Sequence, residues 1–200
     1  MKKLGVLLSG RGSNFEAIAR NVQAGKIRAE IAIVISNKEG AGGLDIARQF
    51  GIKAVCIPSK GKEREAFEQE LVAALREAQV DLVVLAGFMR VLTPFFIRAF
   101  QGRILNIHPA LLPSFPGVDA QKQALEYGAK FTGCTVHFVD EGVDTGAVVC
   151  QAVVPIHDED TAETLAARIL KEEHRIYTEA VNLVVEDKIR IEGRRVLRKE

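Results

Sequence analysis

The sequence contains no tryptophan, and aromatic residues make up only 6% of its 200 residues. Proteins that bind single-stranded nucleic acid stack the bases on aromatic rings, so this composition argues against such a surface. Charge gives no stronger sign, because 27 lysines and arginines are matched by 26 aspartates and glutamates. A chain with almost no net charge has no overall field that attracts nucleic acid or an anionic membrane. We therefore expect neither as a partner.

Cysteine is scarce as well. Cys56, Cys134 and Cys150 form no CxxC motif, which argues against a disulfide framework and a zinc knuckle. The 4 histidines are scattered without HxH or HxxxH spacing, so we predict no metal site. No apolar run approaches the roughly 20 residues of a membrane span. The N-terminal run LGVLL is also too short for a secretory signal, and we expect a cytoplasmic protein.

The first half of the chain alternates between strand and helix patterns. Short apolar runs predict strands at 3–9, 29–36, 52–58, 80–87 and 103–107. Apolar residues at helical spacing predict helices at 13–23, 42–50 and 64–78. This alternation indicates βαβ units, and hence a parallel sheet covered by helices on both faces.

The residues after 117 follow a different pattern. It predicts a short helix, two extended runs, a long helix and a small hairpin, at 120–128, 131–139, 147–156, 161–185 and 188–199. The two extended runs indicate an antiparallel pair with a long connection. No linker or repeat marks a boundary, so we predict one domain over 1–200. The predicted fold is α/β, a Rossmann-like, open and mostly parallel sheet with an antiparallel C-terminal extension.

A turn bracketed by glycines follows the first predicted strand. The stretch LLSGRGSNFEAI passes through Gly10 and Gly12 into a helix. The N-terminus of a helix offers unpaired N–H groups and the positive end of the dipole, which favour a phosphate. The pattern is neither a full GxGxxG nor a Walker A motif. The alternative is a simple turn with a capping box between Ser13 and Glu16, and this stretch alone does not separate the two interpretations.

The stretch LNIHPALLPSFPG places Asn106 and His108 at the end of a strand, ahead of a proline-rich turn. Ligands of open parallel sheets bind outside the carboxyl ends of the strands. Residues two apart on a strand point the same way, so the two side chains can converge on one small group. A rigidly mounted imidazole and amide suit acid–base chemistry beside a developing oxyanion. The alternative is a strand-end histidine and an ordinary turn, or a polyproline segment that binds an SH3-like partner.

Four carboxylates in the second half of the chain stand out. Asp140, Glu141 and Asp144 share one loop, where carboxylates are usually solvated. The functional alternative is that one of them reaches His108 and raises its pKa. Glu173 falls inside the apolar stripe of the last predicted helix, where a carboxylate is seldom found without a partner. We therefore expect Glu173 to face a cationic group of the protein or of a substrate.

Five motifs of the chain closely resemble the phosphoribosylglycinamide formyltransferase family. They are, in order, LLSGRGSN, VVLAGFMR, ILNIHPALLPSFPG, TVHFVDEGVDTG and EEHRIY. The resemblance extends over essentially the whole chain. NIHPALLPSFPG by itself is typical of the wider formyltransferase superfamily, whereas SGRGSN together with EEHRIY narrows the resemblance to the glycinamide ribonucleotide enzymes.

The resemblance implies transfer of a formyl group from 10-formyltetrahydrofolate to the amine of glycinamide ribonucleotide, in purine synthesis and without a metal. It implies small-molecule partners and a monomer or homodimer. The role of Arg11 stays open between the phosphate site and solvent, and so does that of Lys171, a second candidate for the phosphate. Matching positions assign catalysis to Asn106, His108 and Asp144, and the ribonucleotide to Gly12, Ser13, Asn14 and Glu173. The folate positions are Arg64, Met89, Arg90, Val91, Leu92, Asn106 and Asp140. A cis bond is implied between Leu112 and Pro113.

The implied chemistry assigns roles to Asn106 and His108. Attack of the amine on the formyl carbon builds negative charge on oxygen, and Asn106 would donate a hydrogen bond to it. His108, held as imidazolium by Asp144, would stabilise the oxyanion and serve as general acid. Hydrogen bonding and proximity are expected to activate the formyl donor sufficiently without a metal.

Three other functions are considered. A formyltetrahydrofolate hydrolase would share the catalytic trio, but it usually carries an extra N-terminal regulatory domain. A methionyl-tRNA formyltransferase would need a further C-terminal domain with a basic face for tRNA. A non-catalytic module that binds a nucleotide phosphate would explain SGRGSN but would leave Asn106, His108 and Asp144 without a role.

Overall fold

A computed structural model describes residues 1–199 of the chain. The fold divides into two compact units, Met1–Asn106 and the residues from Ile107 onward. The fifth strand, β5 (Ile104–His108), begins in the first unit and ends in the second. The single domain that we expect from the sequence stays a prediction.

The first unit is an open parallel sheet with helices between its strands. Its strands are β1 (Lys2–Leu8), β2 (Ala29–Ser36), β3 (Ala54–Cys56), β4 (Leu82–Leu85) and the start of β5. Its helices are α1 (Ser13–Gln23), α2 (Gly42–Gln49), α3 (Arg64–Glu77) and α4 (Pro94–Ala99). The strand order is β3-β2-β1-β4-β5, and each neighbouring pair is parallel.

Strand β1 lies at the switch point of this sheet. The chain moves outward from β1 to β2 and β3 on one side, and continues with β4 and β5 on the other. Val6 in β1 and Val83 and Val84 in β4 are fully buried, as expected for central strands of a parallel sheet. In such sheets ligands bind at the carboxyl ends of the strands beside the switch point. The segments that follow β1 and β4 are therefore the expected location of a ligand site.

The second unit contains the end of β5, an antiparallel pair, a long helix and a terminal hairpin. Its other elements are α5 (Ala120–Tyr127), β6 (Phe131–Phe138), β7 (Val148–Pro155), α6 (Ala162–Val185), β8 (Ile189–Glu192) and β9 (Arg195–Arg198). Strands β6 and β7 are antiparallel, and so are β8 and β9, whereas β7 and β9 are parallel. Helix α6 packs on β6 and β7, and it begins with a capping box between Thr161 and Thr164.

The predicted fold class is confirmed. Each helix and strand predicted from the sequence is present, although β3 is three residues long where the sequence predicted seven, and α4 was not predicted. Across residues 1–199, none of the helices has the length and hydropathy that crossing a membrane requires.

Candidate active site

Asn106 and His108 lie at the carboxyl end of strand β5. Ile104, Leu105 and Ile107 anchor the strand through buried side chains. Asn106 is half-buried, and His108 is 4% exposed. The polar pair therefore stands on a strand whose other residues are part of the core, which keeps the backbone of the pair rigid.

The His108 ring is fixed through one of its nitrogens. Its Nε2 lies 2.8 Å from the Phe115 carbonyl oxygen, and because a carbonyl can only accept, Nε2 carries the proton and donates. The other nitrogen, Nδ1, lies 3.5 Å from Asp144 Oδ2. That separation is longer than a good hydrogen bond, so Nδ1 keeps capacity for a further partner beside the carboxylate.

Asp144 is the loop carboxylate that meets His108. Its side chain is 13% exposed, and the Gly117 N–H donates to its Oδ2 at 2.8 Å. The interpretation of Asp144 as a solvated loop carboxylate is therefore wrong. Its second oxygen, Oδ1, lies 3.7 Å from Nε2 of His137.

His137 is a site residue that the sequence did not reveal. It is 2% exposed on β6, and its Nδ1 donates to the Phe138 carbonyl oxygen at 2.8 Å. Burial lowers its pKa, while the Phe138 hydrogen bond and the Asp144 charge act in the opposite direction. A neutral ring with its proton on Nδ1 has no proton on Nε2 to donate to Asp144. The negative charge of Asp144 is thus available to His108.

The loop that carries Asp144 is held by local hydrogen bonds. Asp140 Oδ1 accepts from the Gly142 N–H at 3.1 Å and from Thr145 Oγ1 at 2.6 Å. Arg194, in the terminal hairpin, donates to the Thr145 carbonyl at 2.8 Å. A side chain on Gly146 would lie 1.7 Å from the Phe138 carbonyl, so this position requires glycine. Asp140 is exposed, and its predicted role toward folate stays a prediction.

The proline segment between β5 and α5 is fixed by β6 and β7. Thr135 Oγ1 donates to the Ala110 carbonyl at 2.7 Å and accepts from the Leu112 N–H at 3.1 Å. Gln151 donates to the Leu112 carbonyl at 3.0 Å. The expected cis bond between Leu112 and Pro113 is present. The Ser114 N–H closes a turn on the Leu111 carbonyl, so the segment bends here and is not a polyproline helix.

The glycine turn, which we define as residues 10–14, leads from the end of β1 into α1. Gly12 is the N-cap of α1 with φ 82°, and a Cβ there would lie 2.6 Å from the Cα of Gly43. Gly10 has open space where its side chain would be. The capping box predicted as the alternative for Ser13 and Glu16 is wrong, because no side chain in the described part of the chain caps this helix and Glu16 pairs with Arg20. The turn still leads through Gly12 into the N-terminus of α1, an arrangement that suits an anion.

The 87–92 segment follows β4 and contains most of the predicted folate positions. Met89 and Val91 are 70% and 61% exposed, whereas Leu92 is 8% exposed. The Arg90 guanidinium lies over the Phe67 ring, 5.6 Å from its centre. Exposed apolar side chains beside a fixed cation suit a ligand with an aromatic body and an acidic tail. Arg64, the first residue of α3, is exposed.

Glu173 is 7% exposed and lies on the buried face of α6, as its helical spacing predicted. Burial and the negative charge of Glu173 together raise the pKa of Cys134 to about 12. The expectation that Glu173 faces a cation stays a prediction. Gly12, Ser13, Asn14 and the 87–92 segment belong to the first unit, and Glu173, Asp140 and Asp144 belong to the second.

Residues 2–181 match the family model described as formyl transferase. The chain is 42% identical over 182 residues to phosphoribosylglycinamide formyltransferase of Bacillus subtilis, which covers 90% of this chain and 93% of that protein. It is 50% identical over 187 residues to the trifunctional purine biosynthetic protein adenosine-3 of Drosophila melanogaster. That match covers 92% of this chain, which spans about 14% of the length of the trifunctional protein.

Solved structures of similar proteins share the fold. Glycinamide ribonucleotide transformylase 1 from Symbiobacterium toebii has a TM-score of 0.98 at 49% identity, over 100% of this chain and 95% of that one. A formyltetrahydrofolate deformylase from Pseudomonas syringae has a TM-score of 0.92 at 26% identity, over 100% of this chain and 67% of that one. Both a transferase and a deformylase therefore resemble this fold.

Proposed function

Since this chain belongs to the formyl transferase family, we propose that it transfers the formyl group of 10-formyltetrahydrofolate to the primary amine of glycinamide ribonucleotide. The products are formylglycinamide ribonucleotide and tetrahydrofolate, in the synthesis of purines. The similarity to the Bacillus subtilis enzyme along 93% of its length supports this choice of substrates. The observation that carries the proposal is the pair formed by His108 and Asp144, two residues along β5 from Asn106.

The reaction begins with attack of the amine nitrogen on the formyl carbon. A C–N bond forms, and the carbonyl electron pair moves onto oxygen. The Asn106 amide donates a hydrogen bond to this oxygen, where charge is greater in the transition state than in the substrate. A preorganised donor of this kind is typically worth about 100-fold or more in turnover.

His108 acts as an acid in the second half of the reaction, with Asp144 beside it. The electron pair on oxygen re-forms the carbonyl as the bond between the formyl carbon and N10 of the folate breaks. N10 takes the electrons of that bond and receives, through a bound water, the proton that the amine has lost. His108, with its ring fixed by the Phe115 carbonyl, presents Nδ1 beside Asp144 and acts on the oxyanion as an acid. This role needs the imidazolium form of the ring, with Asp144 as its counter-ion.

Substrate binding is divided among the remaining positions. The glycine turn, with Gly12, Ser13 and Asn14, receives the phosphate of the ribonucleotide, and Glu173 receives the ribose or the glycyl amine. The 87–92 segment, together with Arg64 and Asp140, receives the folate. The exposed apolar side chains of Met89 and Val91 and the guanidinium of Arg90 support this assignment. The protein works as a monomer or a homodimer with these two small molecules.

The test is an optical assay of a 10-formyl folate donor with purified protein, run with and without glycinamide ribonucleotide. The proposal expects deformylation only when the ribonucleotide is present, and its loss in H108A. The N106A variant should lose about 100-fold in kcat with an unchanged fold by circular dichroism. A wild-type rate for N106A would contradict the role of Asn106 as oxyanion donor.

The assay also separates the second candidate, a formyltetrahydrofolate hydrolase, which the similarity to the Pseudomonas syringae deformylase brings into consideration. That activity would release formate whether or not the ribonucleotide is present. Absence of any reaction, combined with binding of the ribonucleotide, would instead favour a non-catalytic module.

A further inference from the structure

A chain of buried polar groups connects the ends of the strands in the first unit. Asn37 Nδ2 donates to Ser59 Oγ at 3.1 Å, and Ser9 Oγ donates to Asn37 Oδ1 at 2.5 Å. The backbone N–H of Met89 donates to the same Ser9 Oγ at 2.8 Å. The chain therefore ends on the backbone of the 87–92 segment.

The members of the chain come from separate connections that leave the same edge of the sheet. Ser9 follows β1, Asn37 follows β2, Ser59 lies after β3, and Met89 lies after β4. Ser9, Asn37 and Ser59 are 5%, 5% and 8% exposed. Buried polar groups are costly unless they are paired, and a fully paired network stiffens the backbone that carries it.

Ser9 joins the glycine turn directly to the 87–92 segment. Besides accepting from Met89, it donates its own backbone N–H to the Gly87 carbonyl at 3.0 Å. The two hydrogen bonds fix the backbone of Gly87 and Met89 to Ser9. The exposed side chain of Met89 is thus mounted on a backbone with little freedom.

We propose that Asn37 is a positioning residue that acts through Ser9 to hold Met89 and the 87–92 segment ready for the folate donor. This inference rests on the proposed function, because it takes that segment as part of the folate site. Asn37 follows β2 and Met89 follows β4, and the Ser9 hydroxyl links them through two hydrogen bonds.

The chemistry of the amide explains why asparagine suits this position. A carboxamide accepts at oxygen and donates at nitrogen at the same time. Asn37 Oδ1 accepts the hydrogen bond of the Ser9 hydroxyl and so fixes the direction of the O–H bond. The lone pairs of Ser9 Oγ then face the Met89 N–H. Without this acceptor the hydroxyl proton is free to rotate, and the oxygen competes less well for the Met89 N–H. Ser59 in turn holds the amide in the required orientation.

The experiment measures steady-state kinetics and backbone hydrogen exchange on S9A, N37A, the double variant S9A/N37A and S59A. S9A and N37A should raise the KM for the folate donor about three- to ten-fold, the equivalent of one hydrogen bond, with a smaller change in the KM for the ribonucleotide. Because Asn37 acts through Ser9, the KM for the folate donor should be no higher in the double variant than in S9A. Exchange of the Met89 amide should speed up in all four variants.

The matched control is S36A. Ser36 is fully buried beside Asn37, but within residues 1–199 its hydroxyl exchanges hydrogen bonds with the backbone of Lys38 alone. S36A reports general damage to the end of β2, and it should leave the KM for the folate donor and the exchange of Met89 unchanged. If S9A or N37A fails to fold, S59A, which keeps the bond between Ser9 and Asn37, should still speed the exchange of Met89.

The outcomes separate this inference from the proposed function. If the wild-type protein does not transfer the formyl group, the proposed function is wrong. The hydrogen exchange of the Met89 amide in the variants would still test the positioning role of Asn37. Additive effects of S9A and N37A, equal losses for both substrates, or unchanged exchange of Met89 would each overturn the positioning role.

Discussion

At the scale of single residues, Asp144 is distinguished by what holds it in place. Its backbone has φ 54°, a left-handed conformation that aspartate and asparagine tolerate better than most residues. Gly117 donates to one oxygen, and the rings of His108 and His137 lie on its two sides. D144N therefore preserves the shape and the backbone while it removes the charge.

We expect D144N to lower kcat about 100-fold, since it removes the counter-ion beside Nδ1 of His108, the group to which the proposal gives the acid role. Turnover with saturating substrates measures the effect, and thermal unfolding checks that the fold survives. The matched control is D158N, which removes an exposed carboxylate paired with Lys130 and should keep the wild-type kcat. Equal rates in D144N and wild type would contradict the partnership between His108 and Asp144.

His137 provides a pH-dependent prediction. Burial lowers its pKa, so its NMR signals should titrate below the ordinary histidine value of about 6.5. Asp144 acts to raise this pKa, and D144N should therefore shift the midpoint further down. Below about pH 6.5 the unfolded chain takes up a proton here while the folded ring stays neutral, so His137 makes the fold less stable as the pH falls. A midpoint above the ordinary value would contradict this description.

Sequence patterns found some of these residues and missed others for physical reasons. Glu173 was conspicuous because helical spacing places it among apolar residues, and its burial is confirmed. His137 was missed because a histidine in an apolar strand resembles any buried core residue. Composition and periodicity alone could not separate Asp144 from Asp140 and Glu141, and only the family resemblance singled it out. The path of a loop is not periodic, and its hydrogen bonds decide which carboxylate turns inward.

At the scale of elements, periodicity predicted the long helices and failed where it had too few residues. The helix pattern predicted α1 over its observed span, Ser13–Gln23. Helix α4, Pro94–Ala99, is six residues long, which is less than two turns and too short to show a repeat. Its start depends instead on a distant residue of α3, which no local pattern reveals.

That residue is Glu68, and it anchors the start of α4. Glu68 is 2% exposed, and its carboxylate accepts from both the backbone N–H of Thr93, at 2.8 Å, and the Thr93 hydroxyl. Thr93 is the N-cap of α4 and directly follows the 87–92 segment. Loss of hydrogen bonds to a charged group should make E68A less stable by about 2–3 kcal/mol.

Urea unfolding of E68A and wild type measures this difference. The control is E70A, two residues along the same helix, where an exposed carboxylate pairs with Lys62. An exposed ion pair contributes about 1 kcal/mol or less, so E70A should stay close to wild type. If E68A and E70A unfold at the same urea concentration, the Glu68 anchor contributes nothing beyond an ordinary surface charge.

At the scale of the whole molecule, alternation of strands and helices was enough to predict the fold class but not the strand order. The sequence contains no sign that β1 lies between β2 and β4, because the order depends on how the crossover helices pack. That order places the ends of β1 and β4 side by side. It thereby joins Ser9 to Met89, a contact between residues that are far apart in the sequence.

The single domain predicted from the sequence can be tested through the natural probes of the chain. Both tyrosines, Tyr127 and Tyr177, lie in the second unit, and the chain has no tryptophan. A tryptophan introduced as F50W reports on the first unit. Strand β5 runs from the first unit into the second, so unfolding of either unit would release one end of this strand.

We therefore expect one cooperative transition, in which tyrosine and tryptophan signals of F50W give the same midpoint in urea. Phe50 is half-buried at the end of α2, and a comparison of the tyrosine midpoint in F50W and wild type shows whether the new ring disturbs the fold. Two separated midpoints would mean that the units unfold independently and that the chain has two domains. In that case a variant that weakens only the first unit, such as E68A, would shift the tryptophan midpoint and leave the tyrosine midpoint in place.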